Sequence, residues 1–366
     1  MPDSVGGANH PRLVLIGALP PPVGGITQHV SQLAKEAVRR GYQCKVIDTL
    51  GSRVVGTIPG VETEILAGLR VARGFSLARS LRQEPSAIRH FHISQGASFA
   101  RISPFLWGQP SGRDVCTIHS GAIEEHYRSL LRVEQQLLRA AVRRMARVVA
   151  LTPHITRFLI NVIGLQPDRV VEATSFIGAT VEPEALLEDP QLPGIRRQAG
   201  KLLVTSGYRQ PLYRYEDFIA AVDGARTSQN AHGVIVAYGD TDEVYWRRIL
   251  DLIEERPYIH VVGPLQHRVF LALLSAADLY VRCTESDSCG VGIYESLAAA
   301  TPAIATDVCI RAPGTILVPV GRQKELDNAV ETRLSAPSGD GAVLQLPTNS
   351  ADILFDMYRD VAIRTN

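Results

Sequence analysis

Short apolar runs alternate along the chain with stretches of helical period. Residues 12–17 (RLVLIG), 44–48 (CKVID), 90–93 (HFHI), 114–118 (DVCTI) and 148–152 (VVALT) read as strands buried on both faces, the pattern of a parallel sheet. Helical patterns fall between and after them, at 26–40, 62–83, 98–108, 124–147 and 153–163. Gly41 stops the first helix before the second strand begins. The rhythm restarts after residue 200, with strands at 202–207, 233–240, 259–263, 279–281, 303–305 and 315–318. Helices are predicted at 216–222, 246–254, 269–276, 290–300 and 324–334, and a last one at 350–363. Residues 181–200 (including EPEALLEDPQLPG) are acidic and punctuated by proline, and read as a linker. This alternation defines an α/β fold with two doubly wound parallel sheets, and 366 residues exceed one typical core.

Composition narrows the classes. Hydrophobic residues make up 45% and charged residues 20%, as in an ordinary soluble globular enzyme. A net charge of +1 argues against a nucleic-acid binder that works by neutralising phosphates. Cys44, Cys116, Cys283, Cys289 and Cys309 form no CxxC pair; they suggest reduced, mostly buried thiols in a cytoplasmic protein and supply no metal constellation. The first residues lack the pattern of a secretory signal. No apolar run approaches the ~18 residues that a bilayer span requires.

Candidate chemistry gathers at the carboxyl ends of predicted strands. Residues 276–314 hold strand, polar turn, helix and strand in one βαβ unit, which places a ligand at the end of the first strand. The helix start, Ser288-Cys289-Gly290, offers free N–H groups and a positive dipole end to an anion. Glu295 lies eight positions after Asp287, so two carboxylates sit near the same crevice. In the first half, Gly24-Gly25 follows three prolines. This is not a GxGxxG fingerprint, but adjacent glycines let the backbone approach a phosphate or sugar closely. His92 and His119 end neighbouring strands, the usual place for side-chain chemistry, although a lone His is more often structural. Residues 124–147 carry six arginines beside an apolar side. Such a helix suits an anionic membrane surface, or equally a packed helix with a solvated basic face. Asp240-Thr241-Asp242 reads as a capping turn rather than a metal clamp.

DSCGVGIYE (287–295) resembles the Glu-x7-Glu signature of glycosyltransferase family 4, and SLAAATPAIATDV (296–308) resembles its EAMA-x-G-x-P-V-I-A-S sequel. PPPVGGITQHV resembles the same family's first loop, P-x-x-G-G-x-x-x-H-V. The resemblance implies a GT-B architecture, with two Rossmann-like domains facing across a cleft. Residues 1–182 would form the acceptor side, 183–349 the donor side, and 350–366 a helix crossing back to the first domain. It implies that Glu295 binds the ribose hydroxyls and that Asp287, Ser288, Cys289 and Gly290 hold the sugar and phosphates. The Gly24-Gly25 loop would close over the diphosphate, and His119 would lie beside the donor sugar. Where the family reads G-R-x-x-x-x-K-G, this chain offers Arg209 and Arg214 as diphosphate ligands, slightly out of register and with Arg for Lys; guanidinium binds phosphate bidentately. Residues 264–267 (PLQH) fall where the nucleobase is contacted.

The expected activity is retaining transfer of a hexose-type sugar from a UDP- or GDP-linked donor to a glycan or lipid-linked acceptor, in bacterial envelope polysaccharide synthesis. No resident cofactor, metal or nucleic-acid partner is expected. The expected location is the cytoplasm, with peripheral contact through residues 124–147 to the inner face of the plasma membrane. Asp287 in place of Glu and the displaced arginines leave open a catalytically weak binding or scaffold protein. A GT-B nucleotide-sugar epimerase also stays open. An NAD-dependent oxidoreductase is disfavoured because the glycine fingerprint is missing, although Asp48 could be its acidic partner.

Overall fold

The computed structural model describes residues 10–364 except 22–23, 52–55, 67, 69, 95, 109–111, 179, 288 and 337–348. The chain divides into two compact units, residues 1–177 with 349–366, and residues 178–348.

The first unit is built on a seven-stranded parallel sheet. Its strands are β1 (Leu13–Gly17), β2 (Cys44–Asp48), β3 (Val61–Ile65), β4 (Ile88–Ile93), β5 (Asp114–Ile118), β6 (Arg147–Ala150) and β7 (Val170–Glu172), in the order β3-β2-β1-β4-β5-β6-β7. The central β1 is buried at all five positions. The helix Gly25–Arg39 covers it with Val30, Leu33, Ala34 and Ala37, the spacing of one helical face. The helix Ser350–Arg364 belongs to this unit and buries Leu354, Phe355, Tyr358 and Val361.

Parts of this unit differ from the periodicity reading, in which β7 has no counterpart. Residues 61–65 form a strand, not the start of a helix. Glu62 and Glu64, two apart, both meet Lys45 of β2, at 3.2 and 2.9 Å, and only a strand puts them on one side. The predicted long helix at 124–147 is two helices, Ile123–Ser129 and Arg132–Arg144. Leu130 and Leu131 are extended (ψ 153° and 149°), and the Glu134 carboxylate accepts the Leu131 N–H at 3.3 Å to start the second helix.

The second unit carries a six-stranded parallel sheet: β8 (Lys201–Arg209), β9 (Ala231–Thr241), β10 (Ile259–Val262), β11 (Leu279–Arg282), β12 (Ala303–Thr306) and β13 (Ile316–Val318), in the order β10-β9-β8-β11-β12-β13. β8 and β11 pair through Leu203↔Leu279 and Val204↔Tyr280, so their carboxyl ends lie side by side. The stretch read as a linker is not slack. Pro183–Glu188 forms a 3₁₀ turn and Leu192–Gln198 a helix, burying Ala185, Leu192 and Ile195. Pro183 and Pro193 each stand in a first helical turn, where a missing N–H costs nothing, so here proline starts structure.

Candidate active site

In the second unit, β11 ends at Arg282 and the helix Val291–Ala298 opens from Gly290. Gly290 is left-handed (φ 70°), and a Cβ there would lie 2.8 Å from Arg311 Nη1 and 3.0 Å from Asp287 Oδ2. Only glycine closes the turn this tightly. Asp287 Oδ2 accepts hydrogen bonds from Arg282 Nε at 2.5 Å and Arg311 Nη1 at 2.7 Å. Burial alone would raise this carboxyl's pKa, but the two guanidiniums override it and hold it down to about 2. Arg311 also donates to the Thr306 carbonyl at 3.0 Å and to Thr284 Oγ1 at 3.2 Å, tying the end of β12 to the turn. Asp287 is thus a brace inside the turn, held by two guanidiniums. Ser288 lies outside the described residues; the Cys289 side chain is buried.

Glu295 is buried in the same helix, and its Oε1 accepts a 2.6 Å hydrogen bond from His267 Nε2. His267 opens the helix His267–Ala276 directly after the PLQ turn. Close packing holds Glu295 in place. At Gly292 an added Cβ would sit 2.6 Å from the Tyr280 hydroxyl, which is itself bonded to Ser206 at 2.8 Å.

The two candidate phosphate ligands differ. Arg214 is gripped by Asp217 (2.6 and 3.0 Å) and by Glu285 (2.8 Å). Arg209 donates to Thr241 Oγ1 at 3.3 Å and stands 5.7 Å from the Trp246 ring centroid. It lines a cavity of about 330 Å³ with Trp246 and Gly263–Leu265. Asp242 caps the helix Glu243–Glu254 by accepting the Tyr245 N–H at 2.9 Å, the capping role read from the sequence.

In the first unit, Gly24 N-caps the helix Gly25–Arg39 in extended conformation, its N–H donating to Thr27 Oγ1 at 3.0 Å. A Cβ on Gly25 would meet nothing within 4 Å, so the fold itself gives no steric reason for glycine there. Asp48 spends its carboxylate on the N–H groups of Leu19 (2.8 Å), Leu50 (3.1 Å) and Gly51 (3.1 Å); it holds loops rather than a ribose. His119, just past β5, has Nε2 3.1 Å from His92 Nδ1, and the His29 ring centre lies 5.0 Å away. His92 also lines a cavity of about 560 Å³ with Phe91, Phe99, Phe105, Arg73 and Arg101.

Sequence reasoning did not find Arg282 and Arg311 as the partners of Asp287. An Arg closing a strand carries no local signal, and Arg311 reaches back from beyond the next strand. His267 fell within the PLQH stretch, but its bond to Glu295 spans two helices and has no sequence signature.

Two parallel α/β units, of seven and six strands, place the protein in the GT-B class of folds. Family models agree: "Glycosyltransferase Family 4" matches residues 23–172, and "Glycosyl transferases group 1" matches residues 200–336. The chain belongs to the group 1 glycosyltransferases, and its fold is GT-B. Among solved structures it is similar to sucrose-phosphate synthase from Thermosynechococcus elongatus, at 16% identity over 97% of both chains and a TM-score of 0.66. It is also similar to HepE of Anabaena in complex with UDP-glucose, at 14% identity over 96% of this chain and 98% of that one, TM-score 0.68. The catalytic domain of starch synthase IV from Arabidopsis thaliana, bound to ADP and acarbose, matches at 13% identity over 97% and 100%, TM-score 0.66. No curated protein sequence matches this chain. No described helix is long and apolar enough to cross a membrane.

Proposed function

We propose that the protein moves a sugar from a UDP- or GDP-linked donor to a glycan or lipid-linked acceptor with retention at the anomeric carbon. The observation that carries this reading is Glu295, buried on the helix that starts at Gly290, with the Arg282–Asp287–Arg311 brace at that helix's positive end. Glu295 accepts hydrogen bonds from the ribose hydroxyls, taking His267's place or sharing with it. The free N–H groups at the helix start, with Arg209, hold the diphosphate. As the C1–O bond breaks, its electron pair passes to the diphosphate. The acceptor oxygen bonds C1 on the face being vacated and passes its proton to the departing phosphate oxygen. His119 stands beside the donor sugar, and the open side of Gly25 lets the first loop approach the diphosphate. This scheme needs no divalent ion at the diphosphate, so turnover persists in EDTA. The role is envelope polysaccharide synthesis at the inner face of the plasma membrane, with exposed Leu131 and Val133, flanked by Arg128 and Arg132, as the membrane contact.

A panel of UDP-, GDP- and ADP-sugars, read by thermal stabilisation, identifies the donor. Glu295→Ala is expected to weaken its binding at least tenfold, since the ribose loses a charged acceptor worth ~1.5–3 kcal/mol. Unchanged affinity removes Glu295 from the site. A second reading, a scaffold that binds but does not turn over, draws on Arg214's engagement by Asp217 and Glu285. Absence of transfer and of slow donor hydrolysis would select it, and product analysis by NMR would reveal an epimerase.

A further inference from the structure

Four buried or half-buried histidines crowd the carboxyl ends of β4 and β5, and they are not equivalent. His90 has both ring nitrogens satisfied by the fold: Nδ1 lies 2.6 Å from the Tyr358 hydroxyl and Nε2 2.7 Å from Thr117 Oγ1. It is a core histidine. His29 is different. Its Nδ1 donates to the Ser175 carbonyl at 2.9 Å, which fixes the tautomer and leaves Nε2 as a lone pair. That Nε2 is buried without a partner, and so is Nε2 of His92. His119 completes the group: one ring nitrogen from each of His29, His92 and His119 lies within 4.8 Å of the other two. The rings come from a helix and from two strand ends.

We propose that His29, His92 and His119 form a binding site for a transition-metal dication of the zinc class. Buried ring nitrogens without a partner are rare because they forfeit water's hydrogen bonds, and a cation is the ligand that meets several at once. The rings are in the ligating form: burial holds His29 down to about 4 against its Ser175 hydrogen bond, and burial followed by repulsion from neighbouring histidines keeps His92 and His119 well below the ordinary histidine range. A set of neutral nitrogens selects Zn²⁺, Co²⁺, Ni²⁺ or Cu²⁺ over Mg²⁺ or Ca²⁺, which take oxygen. The Ser175 carbonyl on His29 Nδ1 is the outer contact that orients a ligating imidazole. Zn–N bonds of about 2.0–2.1 Å put tetrahedral nitrogens roughly 3.4 Å apart, so the rings close in slightly, a side-chain adjustment. His92 also lines the first unit's cavity of about 560 Å³, and three protein ligands leave a fourth position for water or a substrate oxygen. The scheme proposed for the diphosphate calls on none of these three ring nitrogens, so the site does not conflict with turnover in EDTA. An ion held there takes His119's nitrogen and inhibits transfer.

The test uses the full chain, stripped with chelator and titrated with Co²⁺ by visible absorption and with Zn²⁺ in competition with a chromophoric chelator. The expected result is one ion per chain, with a cobalt spectrum of nitrogen ligation lacking the thiolate charge-transfer band that the cysteines would give. His29→Gln and His92→Gln each weaken affinity at least tenfold, while His260→Gln, in the second unit, does not. The inference is overturned by substoichiometric binding, by a thiolate band, or by equal affinity in the His29→Gln and wild-type proteins. Where a variant fails to show a cooperative melt in EDTA, the wild-type stoichiometry and spectrum decide alone. Binding without any nucleotide-sugar turnover would leave this site standing and remove the proposed function instead.

Discussion

Ala300 follows the helix Val291–Ala298 in the left-handed region, at φ 62°. The turn around it is a Schellman motif: the Thr301 N–H donates to the Ser296 carbonyl at 2.8 Å and the Ala300 N–H to Leu297 at 3.1 Å. The family sequel has glycine at this position, and glycine adopts this conformation without crowding its Cβ. Relief of that strain, less the extra freedom glycine gains when unfolded, predicts that Ala300→Gly stabilises by about 0.5–1 kcal/mol. Denaturant unfolding measures it, and a destabilised variant would contradict the strain argument. Asp287 teaches a different lesson. Its type and position were legible from the motif, but its two partners were not. One oxygen of this carboxylate is shared between Arg282 and Arg311, because β11, the turn and the segment after β12 meet there.

At the scale of elements, apolar periodicity located most strands and helices, because burial on both faces leaves continuous apolar runs. It failed where a side chain with a tertiary partner sets the backbone. Leu130 and Leu131 continue a helical pattern, yet the chain is extended there, and Glu134 both caps the next helix and pairs with Arg101 at 2.8 Å. The arginines that made residues 124–147 look directed at a membrane are in large part engaged. Arg139 and Arg143 donate to the Ile163 carbonyl at 3.1 and 2.7 Å, and Arg128 and Arg147 pair with Glu124 and Asp360 at 2.5 Å. What stays outward is the break itself, where Leu131 is 68% and Val133 57% exposed. Sedimentation with anionic vesicles is therefore expected to fall at least severalfold in a Leu131→Glu, Val133→Glu double variant. Equal sedimentation of variant and wild type would leave this helix as packing alone.

For the whole molecule, acid is the informative perturbation. Burial holds His29 down to about 4 and His90 to about 3, with His92 and His119 also well below the ordinary value of 6.5. Below pH 6.5 the unfolded chain takes up protons that the folded chain refuses, so stability is full above that pH and is lost as the pH falls toward 4. Asp114 acts oppositely: burial raises it to about 6 despite Arg89, so its cost is relieved as pH falls from about 6 to 4. Four histidines outweigh one carboxyl. The melting temperature in EDTA is expected to drop by roughly 5–10 °C between about pH 7.5 and 5. Asp287, held near 2, contributes only below pH 3.8, where protonation begins to dissolve its ion pairs. A flat melting profile between pH 7.5 and 5 would mean that the histidines are hydrated.

The sequence by itself determined the alternation of strand and helix, the two parallel sheets and the glycosyltransferase motif around residues 287–308, because each is written in neighbouring residues and local period. Tertiary structure alone decided that Glu295 meets His267, that two arginines brace Asp287, and that His29, His92 and His119 converge. Those groups are brought together by strand order and by the register of parallel pairs. A parallel sheet joins strand ends that long crossovers separate in sequence, so no local pattern records which side chains will face one another.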